Sequence, residues 1–206
     1  MTLYEFLYAQ YGPNEPIFTS DITFENYSQP WIYKQLNQLC EEGKLARYEK
    51  GICYIPTQTP FGISLLNPRK VIERRYVSQN GETVGFYCGL ALQNRLRLTT
   101  QMPNVIEICT NNEASRGRTV TVGSQRVLLR KARTKVTAEN ADVLSFLELM
   151  NDLDMSTLSE DRKKLLADFV SERGITRKDI SAYAPFFPDK ALRALVESEV
   201  IYSVAP

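Results

Sequence analysis

The chain has 206 residues, 43% hydrophobic and 24% charged, with a formal net charge of +1, a composition that fits one ordinary globular domain or two small ones. It contains no histidine, which excludes Ser-His-Asp and Cys-His nucleophilic systems, histidine general bases and every zinc site built on imidazole. No Walker sequence or G-x-G-x-x-G turn occurs, no apolar run approaches a bilayer span, and the opening MTLYEFLYAQ has no basic region or cleavage pattern, so the expectation is a cytoplasmic protein with no membrane association, no metal and no cofactor.

Leu3, Phe6 and Leu7 give Leu3 to Tyr11 an apolar stripe, and Gly12 to Pro16 breaks the chain after it, which predicts a first helix. Thr19 or Ser20 is placed to cap a short second helix carrying Ile22. Ser28, with Pro30 in the first turn, opens a third helix in which Ile32, Leu36, Leu39 and Cys40 follow the i, i+4, i+7, i+8 spacing of one buried face. Gly43 ends it, as a left-handed C′ residue does. Two β-prone runs follow, Lys44 to Tyr48 and Ile52 to Ile55, joined through Glu49, Lys50 and Gly51 as a tight hairpin. Helix, helix, helix and hairpin in that order predict a winged helix-turn-helix over residues 1–60.

Opposite its buried face the third helix carries Lys34, Asn37, Gln38 and Glu41, with Gln29 and Tyr33 near its N-terminal end. Gln and Asn can pair with adenine edges, and Lys reaches guanine or phosphate. The expectation is that Gln29, Tyr33, Lys34 and Gln38 read the major groove of double-stranded DNA, while Thr19, Ser20 and Lys50 meet its backbone. Every amphipathic helix has a polar outer face; the hairpin directly after this one is what favours a docking geometry. Charge argues the other way. Residues 1–60 hold four Lys/Arg against seven Asp/Glu, a net of −3, whereas DNA-binding modules are usually basic. The module alone should bind weakly, so a second copy or the rest of the chain must help, or the winged helix is a protein-interaction module.

Beyond a short linker at Phe61 and Gly62, residues 61–138 carry thirteen Lys/Arg and four Asp/Glu, and residues 139–206 carry eight and thirteen. A basic middle thus precedes an acidic end. Asn67-Pro68 predicts a capped helix through Tyr76 with Val71, Ile72 and Tyr76 buried. Gln79-Asn80-Gly81 is a turn, and Phe86 to Leu96 resumes helical spacing, with Gly85 and Gly89 suited to close packing. From Asn104 the period becomes two: NVIEICT, RTVTV and RVLLR predict an antiparallel sheet, the last two runs joined by Gly123-Ser124. Arg116, Arg118, Arg126, Arg130, Arg133 and Lys135 then form a basic patch on or beside it, which is either a solvated sheet face or a seat for nucleic acid or an acidic protein. No aromatic residue interleaves LLRKARTK, so base stacking is poorly supported. Helices are predicted over Asn140 to Leu153, Ser159 to Arg173, Lys178 to Tyr183, and Pro188 to Glu199, the last burying Leu192, Leu195 and Val196. The four cysteines, at 40, 53, 88 and 109, have no C-x-x-C spacing and read as reduced, mostly buried thiols. Asp152-x-Asp154 with Gly123-Ser124 is too dispersed for a metal-dependent phosphoryl-transfer site. No nucleophile with a base beside it is visible, and no enzyme is expected. The fold class read from these elements is α+β: a winged helix, then over 61–206 an α+β domain with a small antiparallel sheet and a helical C-terminal part.

Several phrases carry a family resemblance. Gly43 to Tyr54 follows the pattern GK[LI]xRxxKGxYY, and Leu96 to Asn104, LRLTTQMPN, follows GLTTQxPN, with Arg97 where the usual phrase has Gly and Cys53 where Tyr is common. On these phrases the chain resembles the AbiEi-type antitoxin family of bacterial type IV toxin–antitoxin, or abortive infection, systems. The resemblance covers nearly the whole chain. It implies an N-terminal winged helix that represses transcription of its own operon at inverted repeats, and a C-terminal antitoxin domain that counters a nucleotidyltransferase-like toxin; the weak charge of the winged helix separately favours binding as cooperative pairs on repeated half-sites. The alternative is a protein- or RNA-binding module that uses the basic 61–138 region, with the winged helix as an interaction domain and no operator binding.

Overall fold

The computed structural model describes residues 1–115 and 117–204. It is a mixed α+β structure whose chain divides into two compact units, Met1–Arg74 and Arg75–Pro206.

In the first unit, α1 (Leu3–Tyr11) starts from a capping box in which the Thr2 hydroxyl accepts from the Glu5 N–H and the Glu5 carboxylate accepts from the Thr2 N–H. Strand β1 (Ile17–Phe18) follows, then α2 (Gln29–Glu41), then the hairpin of β2 (Ala46–Glu49) and β3 (Ile52–Tyr54). The three strands form one antiparallel sheet in the order β1-β3-β2, and β2 carries an irregularity between Arg47 and Glu49. Leu3, Leu7, Ile17, Ile32, Leu36, Leu39 and Leu45 pack with Cys53 and Ile55 into a single core. Burial of Ile32, Leu36 and Leu39 follows the apolar period of α2. Gly43, at φ 72°, closes α2: its N–H reaches Cys40 O and the Lys44 N–H reaches Leu39 O, the paired bonds of a left-handed C-terminal cap. Ser28 takes the N-cap conformation but makes no side-chain capping bond.

The short second helix expected after Thr19 and Ser20 is absent. Ile22 and Phe24 are buried, but Glu25 sits at φ 47°, a left-handed value that no helix accommodates. Aromatic packing holds this segment instead. Phe24 lies 5.1 Å from the Phe6 ring, and Tyr27 stacks on Trp31 at 3.9 Å with planes 16° apart.

The unit continues past residue 60. What reads in the sequence as a linker is a two-stranded hairpin, β4 (Gln58–Thr59) and β5 (Gly62–Ile63), turning at Pro60 and Phe61. After it, α3 (Pro68–Tyr76) begins with the Asn67 side-chain Oδ1 accepting from the Arg69 N–H at 2.9 Å. Lys70 on α3 donates to Asn14 O at 3.0 Å and pairs with Glu15, while Arg74 lies over the Tyr11 ring. These ties carry the first unit on to Arg74, past the boundary expected at residue 60.

The second unit begins with the small hairpin β6 (Ser78–Gln79) and β7 (Glu82–Thr83), turned at Asn80-Gly81, and is built on a four-stranded sheet in the order β10-β11-β9-β8. Its strands are β8 (Gly85–Cys88), β9 (Val105–Thr110), β10 (Arg118–Val122) and β11 (Gln125–Lys131), with α4 (Gly89–Arg95) between β8 and β9. The helix expected from Phe86 therefore begins only at Gly89, and Phe86 to Cys88 is strand. The β10–β11 pairing is antiparallel as the sequence suggests, and the unexpected strand β8 also pairs antiparallel with β9, but β9 and β11 run parallel. Ile106, Ile108, Val127 and Leu129 on one face are buried, as are Phe86, Cys88 and Cys109 on the other. Burial of both faces is what a parallel pair requires and what near-continuous apolar runs supply.

Helix α5 (Ala141–Asp152) lies at the centre of this unit, with every residue from Val143 to Met150 buried. Around it stand α6 (Glu160–Glu172), α7 (Arg177–Tyr183), α8 (Asp189–Glu197) and α9 (Val200–Ser203). On α8 the buried residues are Ala191, Ala194 and Leu195, whereas Val196, expected inside, is 58% exposed. Among the described residues no helix is long and apolar enough to cross a membrane.

Candidate nucleic-acid interface

Helix α2 turns Tyr33, Lys34, Asn37, Gln38 and Glu41 outward, all of them exposed. Hairpin β2–β3 stands beside this face, and a hydrogen bond from Arg47 Nη2 to Asn37 Oδ1 at 2.7 Å joins the two. Between them runs a groove of about 470 Å³ lined by Thr19, Tyr33, Leu36, Asn37, Cys40 and Arg47, with Lys50 and Gly51 at the hairpin tip. Thr19 reaches that tip through its own N–H, which donates to Gly51 O at 2.9 Å. The floor is apolar and the rim polar. Burial pushes the Cys53 thiol up to about 12 and raises the Cys40 thiol as well, so both groove cysteines are protonated at neutral pH.

Of the seven residues expected to meet DNA, Thr19, Tyr33 and Lys50 share the groove, and Lys34 and Gln38 lie on the outward face of α2. The other two are partly engaged. Gln29 is held inward by its amide, which donates to Ile22 O at 2.9 Å, and the Ser20 hydroxyl donates to Asp21. Gln38 also has its amide nitrogen on Glu42 at 2.9 Å, leaving its carbonyl oxygen as the outward acceptor. Arg47 was missed by sequence reasoning because a lone arginine in a short strand carries no periodic signal; its place beside Asn37 appears only once the hairpin folds back along α2.

The basic patch is not a single cationic surface. Arg116 lies outside the described residues. Arg118 donates to Glu113 at 2.8 Å, and the Ser115 backbone N–H, Arg118 and the Ser115 hydroxyl together hold the Glu113 carboxyl down at about 2. Arg130 lies 2.8 Å from Glu107, 3.8 Å from Glu148 and 3.7 Å from Asp152, and Arg133 donates to Glu148 at 2.8 Å. Burial raises the Asp152 carboxyl against the pull of Arg130. The guanidinium of Arg133 also covers the Phe187 ring at 5.0 Å. These two arginines hold β11 and the chain after it to β9 and α5. Arg126 and Lys135 are exposed and have no ion pair among the described residues, but four strand positions, roughly 13 Å, already separate Arg126 from Arg130. A more compact basic stretch, also missed from sequence, is the cleft of about 440 Å³ at the C-terminal helices, where Lys163 and Lys164 face Glu160 and Glu199; it is balanced by its own acids.

Cys88 and Cys109 are cross-strand neighbours with sulfurs 3.4 Å apart, and their thiol–thiol contact and burial raise the Cys88 thiol well above the ordinary value. Among the described residues no group of three or more Asp, Glu or Cys side chains is arranged to hold a metal ion. No protein-family model matches the chain, and no curated protein matches it.

Proposed function

We propose that the first unit is a winged helix, with its second helix replaced by the aromatic-stapled turn, and that it binds double-stranded DNA with α2 in the major groove and the β2–β3 hairpin as the wing. The observation that carries this reading is the Arg47–Asn37 hydrogen bond, which ties the hairpin to the outward face of α2 at the polar rim of the groove. The sheet order β1-β3-β2, with α2 leading directly into the hairpin, supports it. In this reading Tyr33, Lys34, Asn37 and Gln38 meet base edges, and Thr19, Arg47 and Lys50 meet the backbone.

The further step, that the protein represses its own operon and acts as the antitoxin to a nucleotidyltransferase-like toxin, rests on the family resemblance of Gly43 to Tyr54 and Leu96 to Asn104. Engagement of Arg118, Arg130 and Arg133 by acidic partners within the chain weighs against the basic region as a nucleic-acid or toxin seat and so favours the DNA reading over its alternative.

The test is an affinity titration against the DNA upstream of the protein's own gene at several salt concentrations, with Lys34→Ala/Gln38→Ala alongside. Each lost base contact is worth about 1–3 kcal/mol, or roughly 5- to 150-fold in affinity, and lost phosphate contacts flatten the salt slope. Equal binding to random DNA, or an unaffected double mutant, overturns the groove assignment.

A further inference from the structure

We infer that the outward face of α2 carries a preset donor–acceptor pair, in which Asn37 offers its amide nitrogen and Gln38 its amide oxygen to base edges, with Arg47 and Glu42 as the positioning residues that fix them. This deepens the reading of α2 as the major-groove helix and rests on it.

An unrestrained Asn or Gln side chain can turn its amide over and serve as donor or as acceptor. Here both amides are tied by partners that hydrogen-bond in one direction only. Arginine has no acceptor, so the 2.7 Å bond from Arg47 Nη2 has to end on Asn37 Oδ1. A carboxylate has no hydrogen to give, so the 2.9 Å bond to Glu42 Oε1 has to start from Gln38 Nε2. Glu42 is itself held by Lys44 at 2.8 Å, and that contact keeps its carboxyl below the ordinary value and so ionised at neutral pH. The chemistry of the partners therefore sets both orientations.

What each amide has left for a ligand is opposite. Asn37 Oδ1 is engaged on the hairpin side, while its Nδ2 has no partner among the described residues. Gln38 Nε2 is engaged one turn toward the C-terminus, while its Oε1 has none. The two residues are exposed and consecutive, about 100° apart around the helix. In the major groove the only donors are N6 of adenine and N4 of cytosine, whereas N7 of either purine, O6 of guanine and O4 of thymine accept. Gln38 thus selects adenine or cytosine at the base it faces, and Asn37 takes a base acceptor beside it. Hydrogen bonds between exposed side chains add little to stability; these contribute orientation, so the choice of base is made before DNA arrives.

Selection of random-sequence duplexes by the full chain, followed by titration of the selected duplex, tests this. Wild type should return a motif with adenine or cytosine required at one position, a requirement that Gln38→Ala loses. Gln38→Glu keeps the outward oxygen but repels Glu42, and should bind the motif at least about fivefold more weakly. Adding Glu42→Gln restores the bond with donor and acceptor exchanged and returns the net charge to that of wild type; this pair should recover most of the loss and the same base requirement. Asn37→Asp, which accepts but cannot donate, should lose as much affinity as Asn37→Ala, again at least about fivefold. Without DNA, the side-chain amide NMR signals of Gln38 and Asn37 should move in Glu42→Gln and Arg47→Ala respectively, and circular dichroism checks that every variant is folded. Equal binding to all duplexes removes the groove reading and this one with it. A motif that Gln38→Glu/Glu42→Gln fails to recover, an Asn37→Asp variant that binds as wild type does, or amide signals that do not respond, overturns the preset pair and leaves the groove reading standing.

Discussion

Replacing Arg130 by Met tests the reading that this side chain is a structural cation and not a binding one. The change keeps an apolar stem of similar length and removes a guanidinium that Glu107, Glu148 and Asp152 share at 2.8, 3.8 and 3.7 Å. Arg133 then stands alone against three carboxylates. Removing one partner from a buried ion pair costs about 3–5 kcal/mol. Water can replace part of what is lost, because the side chains of Arg130 and Asp152 are 31% and 21% exposed, so the low end, about 3 kcal/mol at neutral pH, is expected. The loss should also shrink in acid. Burial already raises the Asp152 carboxyl and Arg130 opposes that rise, so without Arg130 the folded-state value climbs further above the unfolded one. A carboxyl raised on folding destabilises at pH values above its folded pKa, and the penalty fades as pH falls through that value toward the unfolded one. Urea unfolding followed by circular dichroism at about pH 7 and about pH 5 measures both effects, with the denaturant slope unchanged if only stability has moved. A loss below about 1 kcal/mol, the range of surface ion pairs, or a loss equal at the two pH values, would refute the shared-cation account.

Two other substitutions probe the same unit. Gly89 sits at φ +60° with the Glu107 carboxylate where a Cβ would stand, so Gly89→Ala adds about 1–2 kcal/mol of backbone strain and displaces Glu107 from Arg130; a fall in Tm of roughly 4 °C or more is expected, and a fall under about 2 °C would mean that no close approach exists. Glu113, held at about 2 against an ordinary 4.5, contributes stability that is complete above the unfolded value and is lost as pH drops from there toward 2. Glu113→Gln should flatten the acid limb of the stability curve in that interval, and superimposable limbs for mutant and wild type would refute the assignment.

The elements that the sequence disclosed are those whose signal is local. The apolar period of Ile32, Leu36 and Leu39, the capping phrase at Asn67-Pro68, and the turns at Asn80-Gly81 and Gly123-Ser124 each determine their own geometry within a few residues, and the structure has a helix or hairpin at each. Readings that needed a distant partner fared worse. Phe86, Leu90 and Leu92 match a helical period, yet Phe86 pairs across the ladder with Cys109, and Gly89 breaks strand from helix. Alternation in NVIEICT and RVLLR marks strands but carries no direction, and β10 lies at the far edge so that β11 enters beside β9 in parallel. The second helix failed for a related reason: Ile22 is buried as its hydrophobicity suggests, but Phe24, Tyr27 and Trp31 gain more by stacking than a four-residue helix gains from its hydrogen bonds. Of the candidate site, the outward face of α2 could be read directly, whereas Arg47 and the groove required the hairpin to be folded back on the helix.

Charge shows the same difference between sequence and space, and it bears on the DNA reading. Counted along the sequence, an acidic module at −3 precedes a basic middle, which makes DNA binding by residues 1–60 look unfavourable. The structural unit, however, closes at Arg74 and gains Arg69, Lys70 and Arg74 at the cost of Glu73, giving seven Lys/Arg against eight Asp/Glu, a net of −1; residues 75–206 carry eighteen against sixteen, a net of +2. The positive middle meets the negative end at Arg130 and Arg133, which pair with Asp152 and Glu148 of the acidic segment. The cations beside the α2–hairpin groove are Lys34, Arg47 and Lys50, with Glu41 and Glu49 close by. Three cations per copy support only a shallow salt dependence. Tight operator binding therefore calls for two copies acting together on adjacent half-sites.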